Sequence, residues 1–317
     1  MEQGGDINIR SDSENSINAA GVLETYSDAG TAGNVNLTSP GNVNISSIIS
    51  RGMEQGGDIQ VNSERGEINS TGDIDSYSKA GRGGNIKVNA PERVTLGDVS
   101  SYGMEKSGDL RIESRTAKVN TGNVKTQAPQ GDSGSIIING TGVGTGDLSS
   151  IGTTSAGDIE VEATRDSIRI YDIEMKSDGT IGILSLKASE DVNAKYIYQT
   201  AGEGNTNINT HAGRDQNIGN ITQIAKIGDT NNSQAAGRDQ NIGDVTQTAG
   251  GNTDNIQTAG RDQNIGDVTQ TAGGNTNNIQ TAGRDQNIGD VTQTAGGNTN
   301  NSPVSYTHLT LPTTYGV

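Results

Sequence analysis

The chain contains no cysteine, no phenylalanine and no tryptophan among its 317 residues. The lack of cysteine excludes a disulfide framework and thiolate metal sites. Phenylalanine and tryptophan bury the largest surface per side chain, and a wide globular core is difficult to fill without them. No run approaches the roughly 18 apolar residues that span a bilayer, so no membrane insertion is expected. If this chain folds, it is predicted to form a thin core of Ile, Val, Leu and Ala.

Positive charge and histidine are also scarce. The net charge is −16, which would repel phosphates and predicts no nucleic-acid partner. The two histidines, His211 and His308, are not accompanied by a convergent acid, base and nucleophile. The sequence therefore predicts no catalytic residue, no metal ligand, no cofactor and no enzymatic activity. A polysaccharide lyase built on a β-helix is the weakest alternative.

Glycine-centred repeats decide between order and disorder. Only 29% of the residues are hydrophobic, and this value together with the high net charge is typical of a disordered chain. However, a Gly before Asp, Asn or Ser and an apolar residue recurs at steps of 23 to 28 residues, at Gly5, Gly33, Gly57, Gly84, Gly108, Gly134 and Gly157. A second marker keeps steps of 24 and 25 residues, at Gly72, Gly97, Gly122 and Gly146. A disordered chain is not expected to keep two independent markers on the same period.

The residues that follow each marker alternate between β-branched and polar types. Residues 58–62, for example, read Asp-Ile-Gln-Val-Asn, which is the pattern of a half-buried strand. One such unit cannot bury its apolar face alone, but stacked units share a continuous core. The sequence therefore predicts an all-β fold, a β-solenoid in the form of a parallel β-helix with coils of about 23–28 residues. Roughly twelve coils would form a rod of about 60 Å.

Three segments are predicted. Residues 1–200 carry the degenerate glycine-marked repeats. Residues 201–301 carry near-identical repeats of about 23 residues that open on Gly-Arg-Asp-Gln. Residues 302–317 break the repeat and are predicted to be a non-native tail. Because 1–7 recurs identically at 53–59, inside the array, the chain is expected to be an internal fragment of a longer protein.

The second array is poor in apolar residues, and disorder is a stronger alternative there. Its core is predicted to consist of Ile242, Val245, Ile256, Ile265, Val268, Ile279, Ile288 and Val291. In-register stacking is expected to align identical amides into ladders, namely Asn241, Asn264 and Asn287, and Gln247, Gln270 and Gln293.

Two rows of the second array are candidate contact surfaces. The first row contains Arg214, Arg238, Arg261 and Arg284. It either binds an acidic glycan or is neutralised by the adjacent Asp215, Asp239, Asp262 and Asp285. The second row is a repeated Thr-Gln-Thr that favours ice binding, with Thr246, Thr248, Thr269, Thr271, Thr292 and Thr294. The Gly-Asp pairs lack the spacing of calcium loops and are predicted to be turn formers, with a calcium-dependent glycan-binding module as the alternative.

Units such as Gly56-Gly57-Asp58-Ile59-Gln60-Val61 resemble the repeats of filamentous-haemagglutinin-type exoproteins of two-partner secretion systems. The resemblance covers about residues 1–190. It implies a right-handed coil, an outer-membrane secretion partner, a secreted or cell-surface location in bacteria, and a non-catalytic structural or adhesive role towards an unknown surface or glycan receptor. The second array has a weaker likeness to curlin repeats, carried by the spacing of Gln270 and Asn275.

Overall fold

A computed structural model describes residues 2–12 and 15–305, and within those residues it contains strands and no helix. The strands form a 13-stranded sheet, a 19-stranded sheet and one two-stranded sheet, and their pairings are parallel. The 13 strands of the first sheet lie one per coil, so the chain makes twelve turns between them. The predicted all-β parallel solenoid is confirmed, with a length of about 58 Å at the ordinary strand spacing. Its handedness stays a prediction.

The first sheet, called face 1 below, has a strand in every coil. Its strands are Ile7–Arg10, Val35–Ser39, Ile59–Ser63, Ile86–Ala90, Leu110–Ser114, Ile136–Gly140, Ile159–Ala163, Ile183–Ala188, Thr206–Ala212, Thr230–Ala236, Thr253–Ala259, Thr276–Ala282 and Thr299–Ser305. The two-stranded sheet, formed by Ser155–Ala156 and Thr180–Ile181, lies at the corner before this face.

The 19-stranded sheet forms two further faces, because most coils cross it with two short strands. The first of each pair belongs to face 2: Ile68–Ser70, Val94–Thr95, Val119–Asn120, Val143–Gly144, Gln240–Ile242, Gln263–Ile265 and Gln286–Ile288. The second belongs to face 3: Ile74–Ser78, Val99–Gly103, Val124–Ala128, Leu148–Gly152, Val245–Ala249, Val268–Ala272 and Val291–Ala295. In five coils one long strand crosses both faces: Ile17–Ser27, Val43–Gly52, Ile168–Ser177, Val192–Ala201 and Gln216–Ala225.

The register confirms the spacing of the glycine markers. On face 1, Ile7 pairs with Val35 and Val35 with Ile59, which are the residues two positions after successive markers. On face 3, Ile74 pairs with Val99 in the same way. The stack continues without a break into the second array, where Leu184 pairs with Ile208. The change of repeat near residue 200 is therefore a change of side chains within one continuous stack.

In the first array the inward side chains are aliphatic and small polar residues. Face 1 buries residues such as Val35 and Leu37, and face 2 buries Val43. Face 3 contributes an aliphatic residue and then a hydroxyl, as in Ile74 and Ser76, both fully buried. This thin core agrees with the composition, because no residue larger than Ile, Leu or Met has to be enclosed.

In the second array amides replace much of that aliphatic core. Asn232 on face 1 occupies the position of Ile208 in the coil before it, and Asn232 and Asn255 are buried. The Nδ2 of Asn232 donates to the Oδ1 of Asn255 at 2.8 Å, and Asn255 donates to Asn278 at 2.8 Å. Face 2 carries a similar ladder, in which Gln240 donates to Gln216 at 2.6 Å.

Two of the predicted core residues were wrong. Ile256 is 40% exposed, and Ile279 is only partly buried on the outward side of face 1. Side chains alternate between the two sides of a strand, and the neighbours Asn255 and Gln257 already point inward. Ile242, Val245, Ile265 and Val268 are buried as predicted. Ile288 and Val291 are partly buried in the last complete coil.

The corners hold the coils together through glycine and a neighbouring Asp or Asn. The backbone N–H of Asp58 donates to the Oδ1 of Asn34 at 2.8 Å, and that of Asn85 donates to Asp58 at 2.7 Å. A Cβ on Gly84 would lie 2.2 Å from the carbonyl oxygen of Gly57, so this column accepts only glycine. These carboxylate and amide oxygens therefore join one coil to the next, whereas the sequence predicted only that the Asp residues form turns.

The segment predicted to be a non-native tail falls partly within the described residues. Its first four residues, 302–305, continue the last strand of face 1 in register with 279–282. Residues 306–317, including His308, lie outside the described residues.

Candidate contact face

The predicted threonine row lies on the outer surface of face 3. Thr246 pairs with Thr269 and Thr269 with Thr292, while Thr248 pairs with Thr271 and Thr271 with Thr294. All six side chains are exposed, because the glutamine between each pair points inward. The structure thus brings the six threonines into two parallel columns. Thr222 extends the first column by one coil, whereas the second column has Ile224 at that level.

The intervening glutamines form a ladder that crosses the core. The Nε2 of Gln247 donates to the Oε1 of Gln223 at 2.9 Å and to the main-chain oxygen of Asp254 on face 1 at 2.9 Å. Gln270 and Gln293 repeat the amide bond at 2.8 Å each. The predicted glutamine ladder is confirmed, and it fixes the outward direction of the threonines on either side of it.

The arginine row lies at the corner before face 2 and pairs with the coil before it. The Nε of Arg238 donates to the Oδ1 of Asp215 at 2.8 Å, and its second guanidinium nitrogen contacts the other oxygen of the same carboxylate. Arg214 and Asp191 make the same pair. The other two pairs are Arg261 with Asp239 and Arg284 with Asp262.

The carboxylate next in sequence is the weaker partner of each arginine. Arg238 lies 3.9 Å from Asp239, and Arg284 lies 3.5 Å from Asp285. Each arginine lowers the pKa of the carboxyl that it contacts in the coil before it. The main cause is the hydrogen bond, from Arg214 to Asp191 and likewise from Arg238 to Asp215. A two-pronged contact of this kind takes up part of the N–H donors of each guanidinium and offsets its charge, which weakens its attraction for an acidic glycan. The row therefore favours coil-to-coil pairing over ligand binding.

Sequence reasoning missed a second feature of face 3, its tyrosines. The six tyrosines in the described part of the chain all lie on this face or at the corner that leads into it: Tyr26, Tyr77, Tyr102, Tyr171, Tyr196 and Tyr198. Tyr77 and Tyr102 stack with ring centroids 4.9 Å apart. The signal was available in the sequence, because each tyrosine falls at an outward position once the glycine markers are aligned.

The remaining candidate residues do not converge on a site. His211 is exposed on face 1 and aligns with Ala235, and through it with Thr258. Across residues 2–12 and 15–305, no three His, Asp or Glu side chains are grouped as metal ligands would be. The same residues contain no helix long and apolar enough to cross a membrane.

Comparison with known proteins adds no relative. The chain matches no protein-family model, no curated protein and no solved structure.

Proposed function

We propose that this chain is a non-catalytic structural and adhesive segment of a large bacterial surface or secreted protein, in which it acts as a rigid rod that presents a contact face. The observation that carries the proposal is the unbroken stacking of face 1, in which every strand pairs in register with the next, from Ile7–Arg10 to Thr299–Ser305. Similar ladders run along faces 2 and 3. Because hydrogen bonds join the coils on three sides of the axis, the rod resists bending in every direction.

Force spectroscopy on the whole chain, held by its two ends, tests the mechanical role. We expect a series of force peaks, one per coil, because each coil is held mainly by its neighbours. A coil of the second array, such as Gln263 to Gln286, spans 23 residues and would release about 80 Å of chain. The same chain in strong denaturant should extend without peaks. Smooth extension in buffer as well would contradict the proposal.

The resemblance to two-partner-secretion exoproteins supports export through an outer-membrane partner. Protease treatment of intact producing cells, followed by an antibody against this chain, tests the location. Loss of the antibody signal while a periplasmic marker survives is the expected result. Survival of both signals would contradict a surface location.

Ice binding is a second candidate, favoured by the two exposed threonine columns of face 3. A thermal-hysteresis measurement on the whole chain tests it. Thr269→Lys would place a charge in the middle of the columns and should abolish hysteresis. Thr258→Lys makes the same change at an exposed position of face 1 and should preserve it. Absence of hysteresis in the unchanged protein would exclude this function.

A further inference from the structure

Face 3 contains a groove that crosses four successive coils and ends at Tyr196 and Tyr198. Two outward columns meet there. Lys125, Ser149, Glu174 and Tyr198 follow one another on successive coils. Two residues earlier in each coil stand Asn123, Asp147, Asp172 and Tyr196. Together they surround a groove of about 510 Å³, a volume typical of small-ligand sites.

The aromatic wall of the groove is exposed. Tyr196 is 44% exposed and Tyr198 37%, although both rings could have been replaced by a small polar residue without loss of core packing. The next coil shows this directly, because Asn220 and Thr222 occupy the same two positions. The Nζ of Lys195 lies 5.2 Å from the ring centroid of Tyr196 and donates to the hydroxyl of Tyr171 at 2.8 Å. These contacts extend the wall toward face 2 and restrict the movement of its rings.

The other side of the groove carries hydrogen-bonding groups. Asp172 and Ser149 line this side, although the one oxygen of each that lacks a hydrogen-bond partner in the described part of the chain is buried and is not presented to the groove. Glu174 and Asp147 add carboxylates on either side. The groove thus combines flat apolar rings with several acceptors for hydroxyl groups.

From this arrangement we infer that the groove binds a neutral polysaccharide that lies along the axis of the rod. Sugar rings present apolar faces that stack on tyrosine, and their hydroxyls donate to carboxylates. The three acidic side chains Asp147, Asp172 and Glu174 outnumber the two cations, Lys125 in the groove and Lys195 beside its aromatic wall, which disfavours an acidic glycan. The lining residues come from four successive coils, so the groove runs along the axis of the rod and can contact several units of a polymer. The inference rests on the proposed function in one respect, because both require that face 3 contacts a partner outside the protein.

Affinity electrophoresis of the whole chain tests the site. Native gels would contain hydroxyethyl cellulose, xyloglucan or dextran, with alginate as the acidic comparison. We expect at least one neutral polymer to retard the protein and alginate to leave it unaffected. The double variant Tyr196→Asn with Tyr198→Thr copies the next coil and should therefore fold. It should weaken binding roughly tenfold or more.

A matched variant on the same face serves as the control. Tyr77→Gln with Tyr102→Gln removes the stacked pair outside the groove and copies Gln127 of the next coil, and it should bind like the unchanged protein. Retardation by alginate alone, no retardation by any of the three neutral polymers, or equal loss in both double variants would overturn the inference. Loss of binding on addition of EDTA would overturn it in favour of a calcium-dependent site. Failure here would leave the force peaks of the rod intact, so the two proposals are distinguishable.

Discussion

At the scale of single residues, the amides of the second array differ in how well their hydrogen bonds are satisfied. The Nε2 of Gln223 donates to Gln199 at 3.3 Å and to the main-chain oxygen of Asn231 at 2.9 Å, and its Oε1 accepts from Gln247. Gln234 is equally buried, but neither atom of its amide has a partner in the described residues. Burying an unpaired amide costs free energy that a paired amide recovers. The two glutamines should therefore respond oppositely to the same substitution.

We expect Gln223→Leu to lower the free energy of unfolding by about 1–3 kcal/mol, because it leaves buried amides of the ladder without a partner. Gln234→Leu should raise it by about 1 kcal/mol, since no protein hydrogen bond is lost. A leucine fits there, because Leu186 occupies the same column two coils earlier. Denaturant titration followed by circular dichroism measures both. Equal destabilisation by the two variants would show that ladder bonding does not set stability.

At the scale of the coil corners, glycine permits the stacking of main chain on main chain. Gly84 lies directly over Gly57, and Gly57 lies over Gly33, with the same 2.1 to 2.2 Å approach for an added Cβ. The serines of face 3 complete the contact. The Oγ of Ser76 donates to the carbonyl of Gly57 at 2.9 Å and accepts from the N–H of Gly84 at 2.8 Å. The marker glycines and the serines of face 3 together therefore join face 3 to the corner that precedes face 1.

The same column provides a matched pair of alanine substitutions. Gly84→Ala should destabilise the chain by about 2–4 kcal/mol, because the obstructing atom is main chain and the coils must separate to admit the methyl group. Gly5 lies in the first described coil, and a Cβ added there would meet nothing within 4 Å. Gly5→Ala should therefore change the free energy of unfolding by less than about 0.5 kcal/mol. Thermal unfolding monitored by circular dichroism compares them. A tolerated alanine at Gly84 would refute the close stacking of this column.

The sequence predicts the corners and the register because parallel stacking puts equivalent residues of successive coils side by side. Spacing alone therefore places Ile74 beside Val99. It does not decide which side of a strand faces inward when hydrophobic and amide residues alternate. Ile256 was placed in the core for that reason, although alignment of Asn232 and Asn255 with Ile208 would have shown the correct side. Spacing also does not show which aspartate each arginine contacts, because that depends on how far one coil is displaced from the next. Nor does it show the groove beside Tyr196, which forms where two columns of outward side chains lie next to each other.

At the scale of the whole molecule, one backbone stack carries two kinds of core. In the first array the interior is largely aliphatic and stability comes from burial of apolar surface. In the second, amide ladders and paired charges take over part of that role, and both recur once per coil. Residues 237–297 are nearly identical from coil to coil, whereas the aliphatic array tolerates a step between 23 and 28 residues.

The paired charges predict how the rod responds to acid. Arg238, Arg261 and Arg284 lower the pKa of Asp215, Asp239 and Asp262 respectively, chiefly by hydrogen bonding. A carboxyl whose pKa is lower in the folded chain stabilises the fold above its ordinary pKa and loses that contribution as the pH falls through the folded value. The melting temperature should therefore change little between pH 7 and about pH 5 and fall below about pH 4.

Two triple variants separate these pairs from general acid effects. Asp215→Asn, Asp239→Asn and Asp262→Asn together keep a side-chain oxygen for the main-chain N–H of the next coil but abolish the ion pairs. This variant should melt lower at pH 7 and show a flatter decline in acid. Asp229→Asn, Asp244→Asn and Asp267→Asn remove the same charge at carboxylates that accept a main-chain N–H but form no ion pair in the described residues. Because the second variant keeps every arginine pair, it should retain the acid decline of the unchanged protein, and equal flattening in both would assign the decline to net charge.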